Sequence, residues 1–340
     1  MDENNLSYEE FLDEFKDELS SQLSSHDLQF DETTVHKANE DLAGLVVRTD
    51  GSNISPTIYP ESLYEAYQRG ESIDTMAGRY AEIIENSPKE FDLSQISAEG
   101  ARENITFSLV NTKENEEWLK GVPHEEIGDL SAIPRYQLGD GPDGRASFVV
   151  TNETAAHLQL TKEEVLDIAR TNTENGEYTI QGMSEVMGEM MRGQGMPDEY
   201  IDEMIRSMGD QEAMYVITNP EKIDGSSAML SDATMQEMAD KLGEDFYILP
   251  SSRHEVLAVP ESTVSDPEDL RQMVKEVNAT EVSKGDYLSD NVYHYDAHSH
   301  ELEPMFDENG RLMEHEDGME GMDGKEGLDD GMDSGGRSGR

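Results

Sequence analysis

Near the start of the chain, Phe11, Phe15, Leu19 and Leu23 recur at every fourth position, with Leu12 beside them. That spacing lays one apolar stripe along a helix. Ser7 and Glu10 are the capping-box pair that would open it, so "SYEEFLDEFKDELSSQL" predicts an amphipathic helix. "GLVVRT" reads as a short strand. "ISPTIYPESLYEAYQRGES" turns into a helix that Gly70 ends, and Ser72 caps another whose face is Ile73, Met76, Tyr80, Ile83 and Ile84. Alternating Ile105, Phe107 and Leu109 predict a half-buried strand, followed by strands in "DLSAIPRYQL" and "RASFVVT" around the turn "GDGPDG". Thr161 with Glu164 caps a helix bearing Val165, Leu166, Ile168 and Ala169.

Further along, "AMYVITN" and "SSAML" predict strands, and "SDATMQEMADKLG" a helix that Ser231 caps and Gly243 ends. "DFYILPSS" and "HEVLAVPE" predict paired strands. Asp266-Pro267-Glu268-Asp269 starts a helix with cap, proline and first-turn acids in order. Strands interleaved with helices, some joined by short turns, predict an α+β fold with mixed or antiparallel sheets packed against helices.

The stretch "GMSEVMGEMMRGQGMPDEYIDEMIRSMG" is dense in methionine, an adaptable packing residue. Glycines from Gly188 to Gly195 make its middle a hinge candidate. The expected organisation is an N-terminal sub-domain over 1–180, a Met/Gly-rich helical hinge over 181–210, a C-terminal sub-domain over 211–302 and an acidic tail over 303–340. The tail is low in complexity and carries no apolar period, so disorder is expected there.

Charge narrows the field of partners. The 340 residues hold 25 Lys+Arg against 76 Asp+Glu, a formal charge of -51. Phosphate-backbone binding needs clustered cations, so direct nucleic-acid binding is not expected, and an anionic membrane would repel the chain. A nucleic-acid mimic is a third-ranked reading, weakened because the acids are spread along the chain rather than arrayed in one stripe. Cysteine is absent, which excludes disulfides, thiolate nucleophiles and cysteine metal sites. "MDENNLSYEEFLDE" has neither a basic region nor an apolar core, and no apolar run approaches a membrane span, so a soluble, cytoplasmic protein is expected.

Three clusters are candidates for chemistry. In "PSSRHE", Ser252, His254 and Glu255 lie together, but strand neighbours two apart stand side by side, a poor geometry for proton abstraction. The chain also lacks the "GxSxG" elbow, and a hairpin corner accounts for the polar residues. In "VPHEEIGDLS", His124, Glu125, Glu126 and Asp129 would form a carboxylate–imidazole set if gathered in a concavity. In "YHYDAHSHELE", His294, His298 and His300 offer imidazole ligands near carboxylates, with a surface loop as the plainer account. "LGDGPDGRAS" lacks the lysine of a phosphate loop and the register of a calcium loop, and no cofactor is expected.

Several stretches carry a family resemblance, among them "YEEFLDEFKDEL", "VHKANEDLAGLVV", "LVNTKENEEWLKGVPHEEIGDLSAIPRYQL", "MYVITNPEKIDGSSAMLS" and "DFYILPSSRHEVLAVPES". Over roughly residues 7 to 295 the chain resembles an uncharacterised bacterial family of anaerobic Clostridia, a domain of unknown function (DUF5688-like). Pro60 and Ser226-Ser227 depart from its pattern. The resemblance implies kinship and brings no reaction, cofactor or catalytic residue with it. With no chemical constellation intact, the leading expectation is a non-catalytic protein that binds another protein. The alternative is a hydrolase or metal-dependent enzyme built on His124 or His254 and nearby carboxylates.

Overall fold

The computed structural model describes residues 6–23, 27–52, 54–87, 96–141, 144–208 and 213–313. The first helix, α1 (Tyr8–Gln22), opens with the full capping box between Ser7 and Glu10. It buries Phe11, Phe15 and Leu19 against α2 (Pro60–Gln68), α3 (Ile73–Asn86) and a sheet of β1 (Leu28–Lys37), β2 (Glu40–Thr49) and β3 (Thr57–Ile58). Each such side chain contributes roughly 1.5–3 kcal/mol on burial, so the stripe alone fixes how α1 docks. Ile83, expected on the apolar face of α3, is exposed, and Ala77 and Ala81 are buried beside Met76 and Ile84 instead.

A second body begins with α4 (Ala98–Asn104) and β4 (Ile105–Asn111). After α5 (Glu116–Leu119), β4 pairs with β6 (Leu130–Gly141), which also carries β5 (Glu125–Ile127) and β7 (Gly144–Val149). Next come α6 (Asn152–His157), α7 (Lys162–Glu174), β8 (Thr179–Gly182), α8 (Met183–Gly193), α9 (Asp198–Met208) and β9 (Tyr215–Thr218). The chain closes with α10 (Asp232–Leu242), β10 (Phe246–Leu249), β11 (Val256–Pro260), α11 (Pro267–Thr280), β12 (Tyr293–Tyr295) and β13 (Leu302–Pro304). The last strands form one six-stranded sheet in the order β13-β12-β10-β11-β9-β8. All described pairings are antiparallel, so the fold is α+β without a mixed sheet.

The larger sheet is buried on both faces, as the period-two alternation of β10 requires. Phe246 and Ile248 face a core shared with β4, β6, α7 and α10. Tyr247 and Leu249 face a second cluster with Val274 of α11, Met305 and Phe306. The first of these cores runs from Ala101 to Tyr295, across the segment expected to separate two sub-domains, while the core of residues 11–84 is separate. Within the 181–210 segment, residues 183–208 are an α8–α9 hairpin inserted between the paired strands β8 and β9, and 209–210 lie outside the described residues. Gly188 is where its helices meet: a Cβ there would sit 3.2 Å from Ile205 Cδ1.

Three other expectations are corrected. "SSAML" is a 3-10 helix over Gly225–Leu230, not a strand. "YHYDAHSHELE" is a loop only over 296–301: it opens with β12, where Tyr293 and Tyr295 are buried, and closes with the start of β13. Residues 303–313, assigned to the tail, include the buried Met305 and Phe306; the rest of the expected tail, 314–340, lies outside the described residues. The two bodies meet at the β1–β2 turn, where Asn39 donates to the carbonyls of Lys284 (2.8 Å) and Tyr287 (2.7 Å) and exchanges hydrogen bonds with Asn115. Beside it, His36 stacks on Trp118 with ring centroids 4.3 Å apart.

Candidate functional site

Ser252 and His254 occupy the corner between β10 and β11, and the corner is fully cross-linked. Ser252 Oγ accepts the backbone N–H of His254 at 3.1 Å, a local turn bond. The Asp224 N–H donates to His254 Nδ1 at 3.4 Å, which leaves the ring hydrogen on Nε2 to donate to Asp286 at 3.0 Å. Both ring nitrogens are thereby engaged, and neither takes a proton from Ser252. Partial burial pushes the Asp286 carboxyl upward, but hydrogen bonds from Ser283 and His254 and the nearby charges outweigh it, and its pKa is lowered. Glu255 lines a groove with Ser252 rather than joining the histidine.

The anchor of this corner is Asp224, which the sequence did not single out. It adopts a left-handed backbone (φ 54) and takes Arg253 through Nε at 2.7 Å and through a second, shorter contact. Arg135 of β6 approaches its other oxygen at 3.5 Å. Burial lowers the pKa of Arg135 against the pull of Asp224. Next to it, Gly225 has no room for a Cβ, which would lie 2.2 Å from Thr218 Oγ1 and 2.5 Å from the His254 carbonyl. A signal was present in the dipeptide Asp-Gly after a strand, which marks a tight turn.

The His124 set is dispersed among unrelated partners. His124 Nδ1 lies 2.8 Å from the Val122 carbonyl, and Glu125 pairs with Arg170. Asp129 accepts the hydroxyls of Tyr293 (2.7 Å) and Ser289 (2.6 Å), tying the small sheet to β12. Burial, then the charge of Asp129, raises the Tyr293 pKa well above its ordinary value.

The histidine-rich segment is divided by β12. His298 and His300 lie in the turn after the strand, where the backbone N–H groups of His298 and Ser299 bind Asp296. His294, on β12, meets carboxylates that flank β10 and β11. It forms, with Asp245 and Glu261, a set whose ligand atoms all lie within 4.8 Å of one another. Its Nε2 is 3.8 Å from Glu261 Oε1, and its ring is 5.3 Å from that of Tyr247. The Tyr247 pKa is raised by burial and then by the charges of Glu261, Asp245 and Asp266, which reports a negative field at this point.

The described residues form concavities large enough for a ligand group, one of them, of about 440 Å³, beside His36 and Trp118. Another, of about 270 Å³, lies between β4, β7 and the end of α7 and is lined by polar Thr106, Gln137, Ser147, Asn172 and Asn219 among others. A third, of about 450 Å³, runs between α8, the β9–β11 face and the end of α11. Met183, Val186, Leu257 and Val277 line it together with Ser252 and Asp286. Among the described residues no helix is long and apolar enough to cross a membrane.

The family model described as "Family of unknown function (DUF5688)" matches residues 8–297, and the chain belongs to that family. No curated protein and no solved structure matches the chain.

Proposed function

We propose that this member of the family acts without catalysis, by binding a cationic protein segment on its α8–α9 arm and the adjoining groove. The observation that carries this reading is the arm's surface. Met190, Met196 and Tyr200 are 62%, 41% and 70% exposed on an element held to the sheet through β8 and β9. Glu185, Glu189, Asp198, Glu199, Asp202 and Glu203 belong to the same helices, so the apolar side chains sit in an acidic surround. Flexible thioethers fit varied apolar partners, and the acids favour a partner whose apolar face is flanked by Lys or Arg. The engaged ring nitrogens of His254 and the dispersed His124 set weigh against a hydrolase. A cytoplasmic location belongs to the same reading, for a chain whose cores pack without any cysteine.

A labelled amphipathic helix with Lys-flanked leucines is the probe. Fluorescence anisotropy should show saturable binding that the double variant Met190→Ser, Tyr200→Ser weakens by about tenfold or more, roughly 1.4 kcal/mol. Equal binding by the double variant would assign the capture to general acidity and remove the arm from the proposal. An acidic helix of the same apolar pattern should not bind.

A further inference from the structure

At the end of the β10–β11 hairpin away from Ser252, three segments bring metal-ligating side chains to one point: Asp245 just before β10, Glu261 just after β11 and His294 on β12. We infer that Asp245, Glu261 and His294 form a binding site for a first-row divalent cation such as zinc, independently of any partner on the arm. One imidazole and two carboxylates form a donor set that such ions accept, with open positions left for water. Zinc bonds of about 2.0–2.2 Å place ligand atoms roughly 3.4 Å apart around a tetrahedron. The observed separations, all within 4.8 Å, close to that by small side-chain rotations.

The backbone origins of the three groups are fixed. Tyr247 pairs with Val259 on one side and with His294 on the other, so the strands cannot slip without moving the core. Asp245 Oδ1 accepts the Ala297 N–H at 2.9 Å, which orients the carboxylate. The turn bearing Glu261 is pinned by Glu244, whose two oxygens accept the Ser262 N–H (2.9 Å) and Oγ–H (2.8 Å). Glu303 stands opposite His294 in the ladder and adds a carboxylate beside the imidazole. These supports act on the ligands as outer-shell hydrogen bonds do in metal sites. His298 and His300 do not belong to the set.

The test is zinc titration of the chelator-stripped full chain, followed by calorimetry and thermal unfolding. One zinc ion per chain should bind and raise the unfolding midpoint, because a ligand specific to the folded state stabilises it. His294→Ala and Glu261→Gln should each weaken binding by about 10- to 100-fold or more, the loss seen even for outer-shell partners. His298→Ala should bind as the parent does, and magnesium, which has little use for imidazole, should not reproduce the shift. Cobalt in place of zinc should give visible absorption that both site variants lose. Circular dichroism of the metal-free variants separates ligand loss from misfolding, and Glu261→Gln, partly exposed and nearly isosteric, is the variant that keeps its fold. Stoichiometric zinc retained by both variants, or no binding by the parent, would overturn the site.

Discussion

The two ends of the β10–β11 hairpin are built on opposite plans. At the corner, Ser252, Arg253, His254, Asp224 and Asp286 satisfy one another through hydrogen bonds and ion pairs. At the strand ends, Asp245, Glu261 and His294 are gathered around one point, their ligand atoms within 4.8 Å of one another and His294 Nε2 3.8 Å from Glu261 Oε1. The first arrangement holds three segments together and engages both ring nitrogens of His254. The second gathers negative charge that folding alone does not require, an arrangement that stability would disfavour and a ligand would reward. Neighbours along the chain at the corner bond to their own turn, while the Asp245, Glu261 and His294 set draws on segments far apart in sequence.

The sharpest way to break this contrast is at Asp224. Asp224→Ala leaves Arg253 and Arg135, both mostly buried, without their shared counter-charge. Removal of one partner from a buried pair typically costs about 3–5 kcal/mol, and chemical denaturation should show a loss of that size. A loss below about 1 kcal/mol would mean that water reaches the arginines and that the corner is no clamp. Gly225→Ala comes next. The added methyl meets a carbonyl and a backbone nitrogen as well as Thr218, so backbone must shift, at about 1–3 kcal/mol for overpacking.

Asp286 tests the same corner by pH. Its pKa is lowered in the folded chain, so its contribution is fully present above the ordinary aspartate value and is lost as pH falls through the lowered one. Asp286→Asn should therefore narrow its stability gap from the parent as the solution is acidified below about pH 4. Denaturation midpoints that stay a fixed distance apart from neutral to acid pH would remove Asp286 as a contributor.

Local signals carried much of the fold. Ser7, Thr161, Ser231 and Asp266 each accept a backbone N–H where the sequence placed a cap, and the strands on either side of Pro250 pair as expected. Caps are legible because both partners lie within three residues. β1 was missed because most of "LQFDETTVHK" is exposed and polar, so its pairing with β2 leaves little trace of alternation. "SSAML" misled because a short apolar run does not distinguish a strand from a buried 3-10 turn, and the choice here rests on Arg135, Arg253 and the space around Gly225. β12 was legible in part: Tyr293 and Tyr295 alternate around His294, and three histidines drew the eye from them. Nothing near His294 in sequence names Asp245 or Glu261, because only the register of three strands brings them together.

The smallest expected effect sharpens the contrast most. In metal-free protein, Glu261→Gln removes one of the neighbouring carboxylates and leaves the turn itself held by Glu244 and by the Glu261 N–H bound to the Asp245 carbonyl at 3.1 Å. At about pH 9 the change to expect is relief of the repulsion between Glu261 and the neighbouring carboxylates, Asp245 among them. The variant should therefore match the parent or exceed it by up to about 0.5 kcal/mol, the scale of surface changes. With zinc added, the order should reverse, because the parent alone gains binding energy in the folded state. A metal-free loss above about 1 kcal/mol would make Glu261 a structural residue like Asp224, and the two ends of the hairpin would then be alike.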